Sequence, residues 1–209
     1  MNKVVKVYKF EELSPEVRAN VRAQAEEVLV EARAELLEET LCEQLAETYC
    51  IHLGGGALFY SLSHCQGDGV SFSMYNMQNS DYFIREAKER ISSPAKLQML
   101  HDLLSRDAFE VMSCHSSRYY GASTSQVGYT LAVEVTKEEG ELIAEVTQEI
   151  ARLYVALCAN LERDGYSLLT VSAEEVIYYC QYGYDEGEHL YFEDGTIADR
   201  YIVSEQTAE

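Results

Sequence analysis

Between Val17 and Leu41 apolar residues return at three- and four-residue spacing: Val17, Val21, Ala25, Val28, Leu29, Ala32, Leu36, Leu37 and Leu41. That rhythm predicts one long helix with an apolar face. Ser14-Pro15 supplies a cap followed by proline at the first helical position, and Gly54-Gly55-Gly56 sets the latest stop, with a break near Thr40 left open. Ahead of the helix, Val4, Val5 and Val7 suggest a short strand.

The rhythm then changes to period two. Leu58, Tyr60 and Leu62 alternate along 58–64, and Val70, Phe72 and Met74 along 70–76. This predicts an antiparallel hairpin whose turn, Cys65 to Gly69, uses Asp68-Gly69 for its positive φ angles. Ser80 or Asp81 is expected to open a helix to Arg90, and Ser93-Pro94 another to about Ser105. Two strands follow, 109–120 and 126–135, flanking 121–125. Thr136 with Glu139 forms a capping box for a helix expected to end before Gly165, and Ser172 with Glu175 forms a second box for a helix to Gly183. A last hairpin, 189–202, turns on Asp194-Gly195.

No strand-helix-strand alternation of the parallel kind is present, so the expected class is α+β: an antiparallel sheet of hairpins covered by helices on one face, with a long acidic N-terminal helix. One domain over 1–209 is expected, with 1–53 either inside it or extended from it as a helical arm.

Charge changes the picture most. Thirty-six acids stand against sixteen bases, a formal net charge of -20, and every acid between Glu11 and Glu47 is a glutamate. Nucleic-acid binding gains its affinity from clustered Lys and Arg, so this balance argues against direct nucleic-acid binding and for a basic protein partner. Glu27, Glu31, Glu35 and Glu39 fall four apart with Glu38 beside them, and like charges at that spacing cost a helix about 0.2–0.5 kcal/mol per pair. The row is either a solvated face or a partner-binding one. Eleven carboxylates between Glu11 and Glu47, about 55 Å of chain at helical rise, give roughly one per 5 Å, against about one per 1.7 Å in duplex DNA. A single helix therefore falls short of a duplex mimic, and a homodimer or help from Asp185, Glu186, Glu188, Glu193 and Asp194 would be needed to approach it.

No apolar run reaches the roughly 18 residues of a membrane span, and the start alternates lysine with valine instead of forming a signal-peptide block. A cytoplasmic protein is expected. The six cysteines show no Cys-x-x-Cys pair, and reduced, mostly buried thiols are the expectation. His52, His64 and His115 lack metal-ligand spacing, and no cofactor motif is written. His64-Cys65 and Cys114-His115 are adjacent pairs, which on strands point to opposite faces, so neither makes a nucleophile and base; no catalytic residue is assigned. Asp68 is either a turn residue or an acceptor for a partner. Ser61, Ser63, Ser71 and Ser73 share one predicted strand face, solvated or packed on something polar. The tyrosines, Tyr119-Tyr120, Tyr178-Tyr179, Tyr182, Tyr184 and Tyr191 among them, serve packing or line a binding surface.

Three patches, KFEELSPEVRANV, FYSLSHCQGDGVSF and YYCQYGYDEGEHLYFEDGTI, resemble in order a group of small proteins encoded by tailed phages and mobile elements. The resemblance implies a phage or mobile-element origin and carries no catalytic residue across. By analogy with short acidic phage proteins it points to an inhibitor of host defence, of anti-CRISPR or anti-restriction type, competing with nucleic acid for a basic surface. Its binding residues would be Glu27, Glu31, Glu35, Glu38, Glu39, Asp68, Asp185, Glu186 and Glu188. The alternatives are a protein-interaction module without mimicry, and a small enzyme.

Overall fold

A computed structural model describes residues 6–74, 81–105, 109–113, 119–122, 125–129, 136–184 and 187–198. In chain order these form β1 (Tyr8–Lys9), a 3-10 turn (Phe10–Glu12), α1 (Pro15–Tyr49), β2 (Leu58–Ser61), β3 (Gly69–Phe72), α2 (Asp81–Arg90), α3 (Pro94–Ser105), β4 (Phe109–Ser113), β5 (Ser125–Tyr129), α4 (Lys137–Leu169), α5 (Ala173–Tyr182) and β6 (Leu190–Tyr191). The class is α+β. Among the described residues the strands form three two-stranded antiparallel ladders, β1-β6, β2-β3 and β4-β5, in place of one continuous sheet. The strand expected at Val4 and Val5, and the second arm of the last hairpin beyond Ala198, lie outside the described residues.

The chain divides into two compact units, Met1–Glu35 with Leu168–Glu209, and Leu36–Ser167. In the first, Phe10, Leu13, Val21, Ala25, Val176, Cys180 and Tyr191 form the core, with Tyr8, Val17, Leu29, Val171 and Tyr179 packed against it. The β1-β6 ladder sets Tyr8 opposite Tyr191. Ser172 caps α5 as its sequence predicts: its backbone N–H donates to Glu175 at 2.8 Å and its Oγ accepts from the Glu175 N–H at 3.2 Å. Arg33 adds a long-range tie, donating to the carbonyls of Leu168 and Thr170 and to the Glu175 carboxylate. A cation on the exposed carbonyls that end a helix is a favourable pairing.

In the second unit the β2-β3 ladder pairs Leu58 with Phe72 and Tyr60 with Val70, keeping the predicted inward set together. The predicted arms are longer than the ladder, and 62–68 folds as a loop instead of a tight Asp-Gly turn. Ser71 is 0% exposed and all four residues of β3 are buried, so that part of the serine face is packed. Tyr154 of α4 is the polar tie of this core. Its hydroxyl donates to the Phe72 carbonyl at 2.9 Å, accepts from the Phe72 N–H at 3.0 Å, and lies 3.0 Å from Ser125 Oγ. Burial drives the Tyr154 pKa far above the ordinary phenol value.

Two expectations about helices need correction. First, α4 does not end before Gly165 but runs through it to Leu169. A Cβ at 165 would meet Leu62 Cδ1 at 2.5 Å, so this glycine admits a neighbouring side chain instead of stopping the helix. Second, Val28 and Leu36, assigned to the apolar face of α1, are 40% and 59% exposed. The packed positions are Val21, Ala25 and Leu29 in one unit and Leu37, Leu41 and Leu45 in the other. All belong to a single every-fourth-residue row, from which positions 28 and 36 are turned by about 100°. The helix has no break at Thr40. It ends at Cys50, which holds a positive φ of 53° and donates its N–H to Ala46 at 3.1 Å.

Candidate binding surfaces

The same four-residue arithmetic places the acids. Glu27, Glu31, Glu35, Glu39, Glu43 and Glu47 form a second row along α1, two residues out of step with the packed one. Two residues are about 200° of helix, so at each level a carboxylate stands opposite the packed side chain. All six are exposed, as is Glu38. None makes an ion pair or a side-chain hydrogen bond among the described residues. Of the three arginines of α1, two are engaged elsewhere, Arg33 on Glu175 and the two carbonyls and Arg22 over the Phe10 ring, 5.6 Å from its centroid; Arg18 acts electrostatically on Glu11.

Successive row members rise about 6 Å and turn about 40°. Three consecutive glutamates therefore span about 80° and can address one surface, whereas six wind too far round. In the first unit that trio is Glu27, Glu31 and Glu35.

Asp68 behaves differently. Its carboxylate accepts from Ser61 Oγ at 2.8 Å, the Ser63 N–H at 2.7 Å, Ser63 Oγ at 3.2 Å, the Cys65 N–H at 3.0 Å, Cys65 Sγ at 3.1 Å and the Tyr166 hydroxyl at 2.7 Å. Burial alone would raise this carboxyl's pKa. The bonds from Tyr166, Cys65 and Ser61 overrule burial and hold it well below the usual carboxylate range. The bond to Asp68, reinforced by burial, pushes Tyr166 up to about 12. A carboxylate offers about four lone-pair sites, and six donors fill them. Asp68 organises its own loop and has no acceptor left for a partner.

His64 stacks on Tyr166 with ring centroids 4.5 Å apart, held by a positive φ of 58°. His64 and Cys65 lie in the loop and not on a strand, so the strand argument against their cooperation does not apply. What separates them is that Cys65 Sγ is directed to Asp68 and His64 to Tyr166. Cys114 and His115 lie outside the described residues.

Glu188 is exposed and pairs with Lys9 at 2.8 Å; Asp185 and Glu186 lie outside the described residues. Thus α1 groups its own glutamates, while Asp68 is a loop organiser and Glu188 belongs to a strand-end ion pair. No group of three or more His, Cys, Asp or Glu able to hold a metal occurs among the described residues, and no described helix is long and apolar enough to cross a membrane. Sequence reasoning missed the ties made by Tyr166, Tyr154 and Arg33. Their partners lie 98, 82 and up to 142 residues away, and no local spacing signals such pairs. Comparison of the chain with protein-family models, with curated proteins and with solved structures returns no match.

Proposed function

We propose that this chain is an acidic, phage-encoded inhibitor of a host defence protein, acting by presenting α1 glutamates to a basic surface that otherwise grips nucleic acid. The observation that supports this reading is the Glu27-Glu31-Glu35 trio: exposed, aligned and without a pairing cation among the described residues. Placing like charges at four-residue spacing costs helix stability, so a row kept free of lysine suggests selection for something other than folding. The density argues for a local contact. One carboxylate per about 6 Å of axis is far sparser than the roughly one phosphate per 1.7 Å of a duplex, which fits occupation of a short basic segment better than imitation of a whole duplex.

The test is inhibition of purified CRISPR effectors and restriction nucleases by the full chain and by Glu27→Lys/Glu31→Lys/Glu35→Lys. Inhibition that weakens with added salt, falls with rising nucleic-acid concentration and disappears in the triple variant supports the reading. An inhibitor whose triple variant acts undiminished, or a chain that inhibits none of these enzymes, overturns it.

A further inference from the structure

A second surface, on α5, is chemically distinct from the glutamate row. Val176 and Cys180 are buried and fix the inward face of this helix. Glu174, Tyr178 and Tyr182 follow at four-residue steps on the opposite side, about 160–200° away. Tyr178 is 58% exposed. Its ring meets that of Tyr182 with centroids 5.0 Å apart at 43°, so two aromatic faces stand together in line with one carboxylate. Tyr182 is half-buried, so the pair joins one exposed ring to one partly covered, and tyrosine is enriched at interfaces because its body buries while its hydroxyl stays wet.

The charge around the rings identifies what fits them. Elsewhere the chain sets its own cations over rings: Lys6 over Tyr8, Arg22 over Phe10 and Arg85 over Tyr82. Tyr178 and Tyr182 carry no such cation among the described residues, and α5 contains neither lysine nor arginine. A second copy of the chain is a poor occupant, because it would bring Glu174 and a net charge of -20 against the same. A planar guanidinium is the complementary group: it stacks on aromatic faces and makes a forked bond to a carboxylate.

We propose that Glu174, Tyr178 and Tyr182 form a docking stripe for an arginine-bearing segment of a basic protein, the guanidinium lying against the ring pair and bonding to Glu174. The site stands independently of the α1 reading, since it depends on ring faces and not on a charge row. Lysine serves it less well, being a compact, strongly hydrated point charge.

The experiment measures binding of labelled oligo-arginine and oligo-lysine peptides of equal length to the full chain at physiological ionic strength, read as the ratio of the two affinities. General attraction to an acidic protein enters both peptides alike and cancels. Tyr178→Ala/Tyr182→Ala should lower the arginine-to-lysine ratio about fivefold, while Tyr178→Phe/Tyr182→Phe, which keeps the rings, should preserve it. The α1 triple reversal should weaken both peptides and leave the ratio intact, so failure of either surface is seen separately. Far-UV circular dichroism checks that each variant is folded. An unchanged ratio in the alanine variant, or an equal loss in the phenylalanine variant, overturns the proposal.

Discussion

Six donors converge on the Asp68 carboxylate, and its loop therefore depends on that group being ionised. Folding lowers this carboxyl's pKa. Its stabilisation is thus complete above the unfolded value, near about 3.9, and is lost as pH falls below that toward the folded value. Asp68→Asn should cost about 2 kcal/mol at neutral pH, because an amide turns donors toward donors, and urea midpoints measured from neutral to acid pH should fall less steeply than in wild type. Gly69 beside it has a φ of 153°, and a Cβ there would lie 2.5 Å from Gly121 Cα. Backbone cannot yield as a side-chain tip can, so Gly69→Ala should lose about 2–3 kcal/mol in denaturant titration. Cys50 is the reverse case. A left-handed residue with a Cβ is strained, and Cys50→Gly should gain about 1 kcal/mol by relieving it.

Among the elements, α1 sets helix stability against the binding proposed for its glutamates. Glu31→Lys converts two repulsive four-residue pairs, with Glu27 and Glu35, into attractive ones, which should stabilise the chain by about 1 kcal/mol in a thermal or urea melt. Loss of inhibition by such a variant could then not be ascribed to unfolding. Helix starts were legible because capping is local chemistry: Ser14-Pro15, Ser93-Pro94, Thr136 with Glu139 and Ser172 with Glu175 all open the helices they predict. The packed face was legible only in part. Three- and four-residue spacings look equally helical in sequence, but only the four-residue row is buried, and Val28 and Leu36 were lost on that difference. Gly165 was misread because a glycine that ends a helix and one that admits Leu62 are the same letter.

At the scale of the molecule, the charge of -20 opposes compaction, and screening should relieve it. Raising ionic strength from low to physiological should raise Tm, and a reversed-charge α1 should reduce that gain. Composition made the charge legible, and the order of helical and strand patterns the α+β class. What it concealed is every long-range polar tie, Asp68 to Tyr166 and Arg33 to Glu175 above all, since these depend on which segments meet. One such meeting has a temporal meaning. Tyr8 pairs with Tyr191, and the core of the first unit draws Phe10, Val21 and Ala25 together with Val176 and Cys180. During synthesis at about 5–20 residues per second, the early segment must wait roughly ten seconds or more for its mate to leave the ribosome, while Leu36–Ser167 has already been made. For that interval the nascent chain displays a half-finished apolar seam, and the repulsion among its glutamates would help keep two such seams on neighbouring ribosomes apart.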